Sequence, residues 1–139
     1  MAKIQLMNWD KARADAAPIR FEVFVAEQRV PAQIELDDMD AQCVHAVAYE
    51  NGAPIATGRL LPDGHIGRMA VLKAWRGRGV GSAILAALMD AARRRGDASI
   101  ELSAQVHAVP FYVAHGFQPV GPVYEEAGIP HQTMTKPLG

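Results

Sequence analysis

The stretch Arg76-Gly77-Arg78-Gly79-Val80-Gly81-Ser82 sets three alternating glycines and two arginines between a β-prone run and a strong helical pattern. Glycine lets the backbone come close to a ligand, and the free N–H groups of a helix start, aided by its dipole, favour a phosphate. A tight turn with two exposed arginines is the plain structural alternative. Among phosphate loops, the Walker type needs Gly-Lys before Ser or Thr, and no lysine stands here. A dinucleotide fingerprint is closer, since Glu101 follows Gly77-x-Gly79 by about twenty residues, as a ribose-binding acid should. Two details count against it: Leu72 to Trp75 separates the strand from the glycines, and Ser82 stands where a third glycine is wanted.

Arg76-x-x-Gly79-x-Gly81, preceded by Arg68-Met69-Ala70-Val71 and followed by an Ala and Leu rich helix, resembles the acyl-CoA pyrophosphate loop of GNAT superfamily N-acetyltransferases. Phe111-Tyr112 and then Gly116-Phe117 is similar to that family's later motif, in which tyrosine is the general acid. The likeness runs from about Ile66 to Gly121. Arg20 with Val23-Phe24-Val25, Glu27-Gln28 and Val30-Pro31, and later Glu126 with Gly128-Ile129-Pro130-His131 and Met134, resemble the small bacterial ElaA-like members. Many relatives carry Asn where this chain has His107.

The resemblance implies an N-acyltransferase that moves an acetyl group from acetyl-CoA to a primary amine by direct attack through a tetrahedral intermediate. The pyrophosphate would lie over the amides of Gly77, Arg78, Gly79, Val80, Gly81 and Ser82, with charge from Arg76 and Arg78. The pantetheine arm would pair with the backbone of Met69, Ala70 and Val71, a backbone N–H near Val71 would receive the oxyanion, and His107 would stand at the cofactor. Tyr112 is a weak acid at neutral pH, with an ordinary pKa near ~10, and would protonate the departing thiolate.

An attacking amine must first lose a proton, and Glu27, His45, Glu126 and His131 are the candidates to assist it. Each has a bland alternative: solvated charges for the glutamates, a packed strand residue for His45, a turn residue for His131. Glu27, Glu35, Asp37 and Glu126 together favour a cationic amine, since opposite charge raises its local concentration. Two other functions remain open: an acyl-CoA-binding module without turnover, which keeps the loop and needs no Tyr112, and a nicotinamide-dependent oxidoreductase. No metal is expected, because Cys43-x-His45 is a lone ligand pair and no His-Glu-x-x-His occurs. Gly-x-Ser-x-Gly is also absent.

These groups need a scaffold. Ile4 to Trp9 alternates like a strand, and Asp10 offers a cap for a helix from Ala12 to about Phe24. The acidic cluster Glu35, Asp37, Asp38 and Asp40 reads as a solvated loop. Val44 to Tyr49 and Ala53 to Leu60 flank Asn51-Gly52, a strong hairpin signal, and Ile66 to Val71 continues the meander. Gly79 to Arg95 is a helix with Val80, Ile84, Leu88 and Ala92 on one stripe and Gly96 just past its end. Ala98 to Ser103 is a strand, Val109 to His115 a short helix, and Phe117 to Tyr124 and Gln132 to Pro137 two last strands around a loop. The fold class is α+β: a GNAT-like, mostly antiparallel sheet with a central parallel strand-helix-strand crossover and helices on both faces. With 139 residues, the expectation is one domain spanning 1–139. Fourteen basic against fifteen acidic residues argue against nucleic acid as partner, and no run approaches a membrane span, so a cytoplasmic protein is expected, with a homodimer left open.

Overall fold

Asn51 and Gly52 both sit at positive φ, 52° and 80°, the backbone a two-residue hairpin turn demands, and they join strand β2 (Val44–Glu50) to β3 (Ala53–Leu60). Residues 2–35 and 37–138 are described by the structure, a computed structural model. Seven strands form one sheet in the order β1-β2-β3-β4-β5-β7-β6, with β1 at Lys3–Met7, β4 at His65–Val71, β5 at Ser99–Gln105, β6 at Gln118–Glu126 and β7 at Ile129–Pro137. Every neighbouring pair is antiparallel except β4 and β5. No helix among the described residues is long and apolar enough to cross a membrane.

Strand alternation assigns the faces. Ala46 and Ala48 pack under helix α3 (Val80–Arg95) with Ile84, Leu85 and Leu88, whereas Val47 between them meets Ala12 and Ala16 of helix α1 (Trp9–Arg20) on the opposite face. Each fully buried aliphatic side chain on the α3 stripe stabilises by roughly 1.5–3 kcal/mol. Gly58 lets α3 lie close, since a Cβ there would stand 2.8 Å from Ile84. Gly96 ends α3 in a left-handed conformation, with its N–H on the last carbonyls.

The β4 strand carries one residue more than its partner. Thr57 pairs with Ala70 and Arg59 with Gly67, so two steps on β3 face three on β4, and Arg68 takes up the excess at φ 48°. Pairing between β4 and β5 stops just before this bulge, at His65 with Glu101 and Ile66 with Leu102. Beyond that point the two strands part, and the sheet opens at its centre.

Four expectations from sequence need correction. The cap of α1 is Asn8, whose side chain accepts from the Lys11 N–H at 3.1 Å, and Asp10 lies inside the first turn. Helix α1 ends at Arg20, after Pro18 has removed a backbone donor, and widens into π-helical turns over Phe21–Glu27. The stretch from Tyr124 to His131 is a tight hairpin turning at Ala127 and Gly128, φ 53° and 75°.

The fourth correction is chemical. Glu35, at the end of the short helix α2 (Ala32–Glu35), and Asp40 are buried, Asp37 is half-buried, and Asp38 alone of the four is exposed. Arg20 reaches Glu35 at 2.5 Å and Asp40 at 2.8 and 3.1 Å. Arg59 grips Asp37 with two bonds of 2.9 and 2.8 Å and also reaches Asp40 at 2.8 Å. Arg68, at the bulge, adds Asp37 at 3.3 Å. Hydrogen bonds from Arg59 hold the Asp37 carboxyl at about 2. Burial pushes Asp40 up, and Arg20 and Arg59 outweigh it, leaving it below the usual carboxylate range.

Candidate active site

Gly77 and Gly79 both take left-handed φ, 76° and 80°, so the loop before α3 turns twice in a way other residues resist. Gly79 is the cap of α3 and brings no side-chain acceptor. The first helical bond is Ala83 N–H to Gly79 carbonyl at 3.1 Å, so the amides of Val80, Gly81 and Ser82 have no intrahelical partner. A Cβ on Gly81 would touch Val71 at 3.7 Å and Phe111 at 3.8 Å, which places this helix start against the end of β4 and the short helix α4 (Val109–Ala114). Arg76 turns away from the amides: its Nε donates to the Val71 carbonyl at 2.9 Å and its two terminal nitrogens clasp Glu27 at 2.5 and 2.7 Å. Arg78 lies over the Trp75 ring, 5.0 Å from its centroid.

The open edge of β4 follows the loop. Leu72 N–H donates to Ile55 on β3 at 3.0 Å, so Val71 and Met69, at alternating positions, turn their backbone groups the other way, toward the opening. Ala70 turns its backbone to β3 and packs its methyl against Ile19 and Val23. Uncapped amides, left-handed glycines and an unpaired strand edge together fit a long chain ending in a pyrophosphate.

Tyr112 on α4 reaches this edge on the α3 face. Its hydroxyl donates to the Met69 sulfur at 3.7 Å, and Phe111 and Phe117 meet its ring edge-on at 5.0 and 5.8 Å. Burial pushes its pKa up to about 12. Ser82 pairs with His115 Nε2 at 3.0 Å across the same corner. His107 is exposed in the turn Val106–Ala108, between β5 and α4.

The opposite face of the sheet holds a second polar group. Leu102, Ala104 and Met134 point into the α3 core, so Ser103 and Gln105 of β5 and His131 of β7 point away from it. Ser103 is hydrogen-bonded to the Tyr124 hydroxyl and donates to Glu126 at 3.3 Å. His131, 8% exposed, has Nδ1 at 2.7 Å from the Ile129 carbonyl and Nε2 at 3.6 Å from Glu126. Gln105 donates to Gln28 at 2.8 Å, tying β5 to the end of the π-helical turns. Of the four residues expected on the amine side, Glu126 and His131 therefore stand together. Glu27 is clasped by Arg76, whose hydrogen bonds lower its pKa. His45 lies on β2 among the buried ion pairs, its Nε2 at 2.9 Å from the Asp40 carbonyl, and burial pushes its pKa down.

A family model for the acetyltransferase (GNAT) domain matches residues 11–138. The chain belongs to the GNAT acetyltransferase family. The acetyltransferase is 42% identical over 126 residues to the uncharacterized N-acetyltransferase YjcF of Bacillus subtilis, covering 88% of this chain and 90% of that protein. The crystal structure of an acyl-CoA N-acyltransferase from Pseudomonas aeruginosa superposes with a TM-score of 0.87 at 33% identity, over 98% of this chain and 99% of that one. Escherichia coli ElaA superposes equally well, TM-score 0.87 at 31% identity, over 98% and 99% of the two chains. The enzyme is an acyl-CoA-dependent N-acetyltransferase, which sets aside the binding-module and nicotinamide readings.

Ser103, Gln105, Tyr124 and Gln28 were not singled out as site residues in the sequence of this acetyltransferase. A signal existed: polar residues alternate with Leu102 and Ala104 along β5, and Tyr124 and Glu126 alternate along β6. What hid it was the strand boundary, because β5 runs to Gln105 and β6 to Glu126, each two residues past its expected end.

Proposed function

We propose that this acetyltransferase transfers an acetyl group from acetyl-CoA to a primary amine by direct attack in the opening between β4 and β5, the amine arriving as a cation. The supporting observation is that one gap in the sheet is flanked on the α3 face by Tyr112 and the uncapped amides of Val80, Gly81 and Ser82, and on the other face by Glu126 and His131. The two substrates thus approach from opposite faces. Arg78, rather than Arg76, is the loop arginine free of a carboxylate partner among the described residues, so it supplies charge to the pyrophosphate. Met69 and Val71 offer backbone groups to the pantetheine arm, and the Val71 N–H is the oxyanion donor. Arg76 positions the end of β4, with Glu27 as its counter-charge.

Magnitude decides how Tyr112 acts. A thiol ordinarily titrates near 8.5, so full proton transfer from a phenol at about 12 to a solvated thiolate is uphill by roughly 5 kcal/mol. Tyr112 therefore donates a strong hydrogen bond as the C–S bond breaks, and transfer completes once the thiolate shares the same dry pocket, whose burial raises its own proton affinity.

Steady release of thiol from acetyl-CoA with an amine panel tests the reading. Tyr112→Phe should lower kcat about 100-fold or more with the calorimetric Kd for CoA unchanged. An unchanged kcat removes Tyr112 from the chemistry. Gly79→Val probes the loop: a Cβ there meets nothing within 4 Å, and the left-handed backbone is strained by roughly 1–2 kcal/mol. CoA affinity should fall while circular dichroism holds, and protection against melting by NAD in place of CoA would overturn the cofactor.

A further inference from the structure

We infer that Ser103, Tyr124, Glu126 and His131, closed over by the Gln28–Gln105 pair, form the amine pocket, with His131 as proton acceptor and with aliphatic amines lacking an adjacent carboxylate as substrates. This rests on the transferase reading above. The hairpin from β6 to β7 places Tyr124, Glu126 and His131 on the face away from α3, and β5 brings Ser103 and Gln105 to the same face. His131 pairs with Gln105, and β5 at that height has already parted from β4, so His131 stands one strand spacing, about 4.8 Å, behind the edge of the opening.

The tautomer follows from geometry. Nδ1 lies 2.7 Å from the Ile129 carbonyl, which has no proton to give, so Nδ1 carries one and Nε2 of the neutral ring presents a lone pair. Nε2 faces Glu126 Oε2 at 3.6 Å, too far for a hydrogen bond of their own. An ammonium group there can donate to both acceptors. The Glu126 side chain is 57% exposed, which leaves the pocket accessible from solvent, while His131 is held from behind by the stacked Tyr124 ring. Titratable groups facing His131 are thus Glu126 and Tyr124 of β6, with uncharged Ser103 and Gln105 from β5.

The step balances as follows. The ammonium gives one proton to His131 Nε2, and the freed nitrogen lone pair forms a C–N bond to the thioester carbonyl carbon as the carbonyl π pair moves to oxygen. Collapse of that oxyanion breaks the C–S bond. A second nitrogen proton compensates the one Tyr112 delivers to sulfur, so the products are amide, thiol and an imidazolium that returns its proton to solvent. Glu126 stabilises both the arriving ammonium and the imidazolium. A carboxylate next to the amine would face Glu126 at short range and be repelled.

Two probes separate the ideas, 1,4-diaminobutane and glycine, each with acetyl-CoA and thiol release as the readout. The wild-type enzyme should favour diaminobutane. His131→Gln should lower its kcat/KM about 100-fold and abolish the acid limb of the pH profile, an effect a packing role would not produce. Glu126→Gln should raise KM for diaminobutane about tenfold. Both variants should keep the wild-type calorimetric Kd for CoA. A retained pH profile in His131→Gln, preference for glycine, or CoA binding without thiol release from either amine overturns the pocket. Failure of the wild-type protein to bind CoA instead overturns the transferase reading.

Discussion

Two acidic regions that look alike in sequence do opposite things in the fold. Glu35, Asp37 and Asp40 are consumed by Arg20, Arg59 and Arg68 on the α1 face beside β4, so three acids meet three bases with most of them out of water. Glu126 meets a hydroxyl at 3.3 Å and an imidazole at 3.6 Å and keeps most of its side chain in solvent. The lesson is that an acid's use is set by its partner. A carboxylate clasped by guanidinium fixes backbone: this network ties the end of α1, helix α2 and strand β3 to the bulge at Arg68, where β4 begins to leave β5. Only an acid without such a partner can serve an arriving cation. The case for a cationic amine consequently narrows from four acids to Glu126, because Glu27 is also clasped.

The largest effect that could break this contrast is on stability. Arg20 is 2% exposed, and Arg20→Met would strip buried Glu35 of its close ion pair and leave the Asp40 carboxylate to Arg59 alone, at a cost of about 3–5 kcal/mol. Urea unfolding measures it directly. A loss below about 1 kcal/mol would mean that water reaches these carboxylates and that the solvated-loop reading was right.

How much of this could be read from residues alone depended on whether the signal was local. The hairpin at Asn51-Gly52, the α3 stripe ending at Gly96 and the glycine loop each fit in a window shorter than twenty residues, and each was legible. The buried network was not, because Arg20, Glu35, Arg59 and Arg68 meet only after α1, β3 and β4 have packed, and an acidic run has no periodicity that distinguishes burial from exposure. The polar pocket failed for a different reason. Its members alternate properly, yet β5 and β6 each run two residues past the expected end, and β6 absorbs two extra residues between Val120 and Tyr124.

A smaller effect sharpens the contrast through pH. His45 belongs to the network, and burial holds its pKa below the ordinary 6.5. The unfolded chain then takes the proton first, so His45 contributes a loss of stability as pH falls below about 6.5. His65 lies on β4 at the closed end of the opening, with Nε2 at 2.5 Å from Glu101 and Nδ1 at 3.0 Å from Asp63. Burial pushes His65 down, but the two carboxylates outweigh it and the pKa is raised. Its contribution is present below about 6.5 and is lost as pH rises through that higher folded value. Urea midpoints across about pH 5 to 8 should therefore lose their low-pH decline in His45→Gln and their high-pH decline in His65→Gln. Identical profiles in the two variants would erase the distinction between the regions.

The smallest expected effect is the stability change in Glu126→Gln, and its smallness is the point. Among the described residues no arginine bonds Glu126, its side chain is 57% exposed, and a glutamine of equal size can still accept from Ser103. Surface substitutions of this kind stay within about 0.5 kcal/mol. The same isosteric change at Glu35, 7% exposed and 2.5 Å from Arg20, removes one of the two carboxylates that neutralise a buried guanidinium and should cost several times more. Parallel urea titrations of Glu126→Gln and Glu35→Gln make the test. Equal losses would mean that Glu126 also holds the fold together, and its effect on amine KM could then no longer be assigned to contact with the substrate.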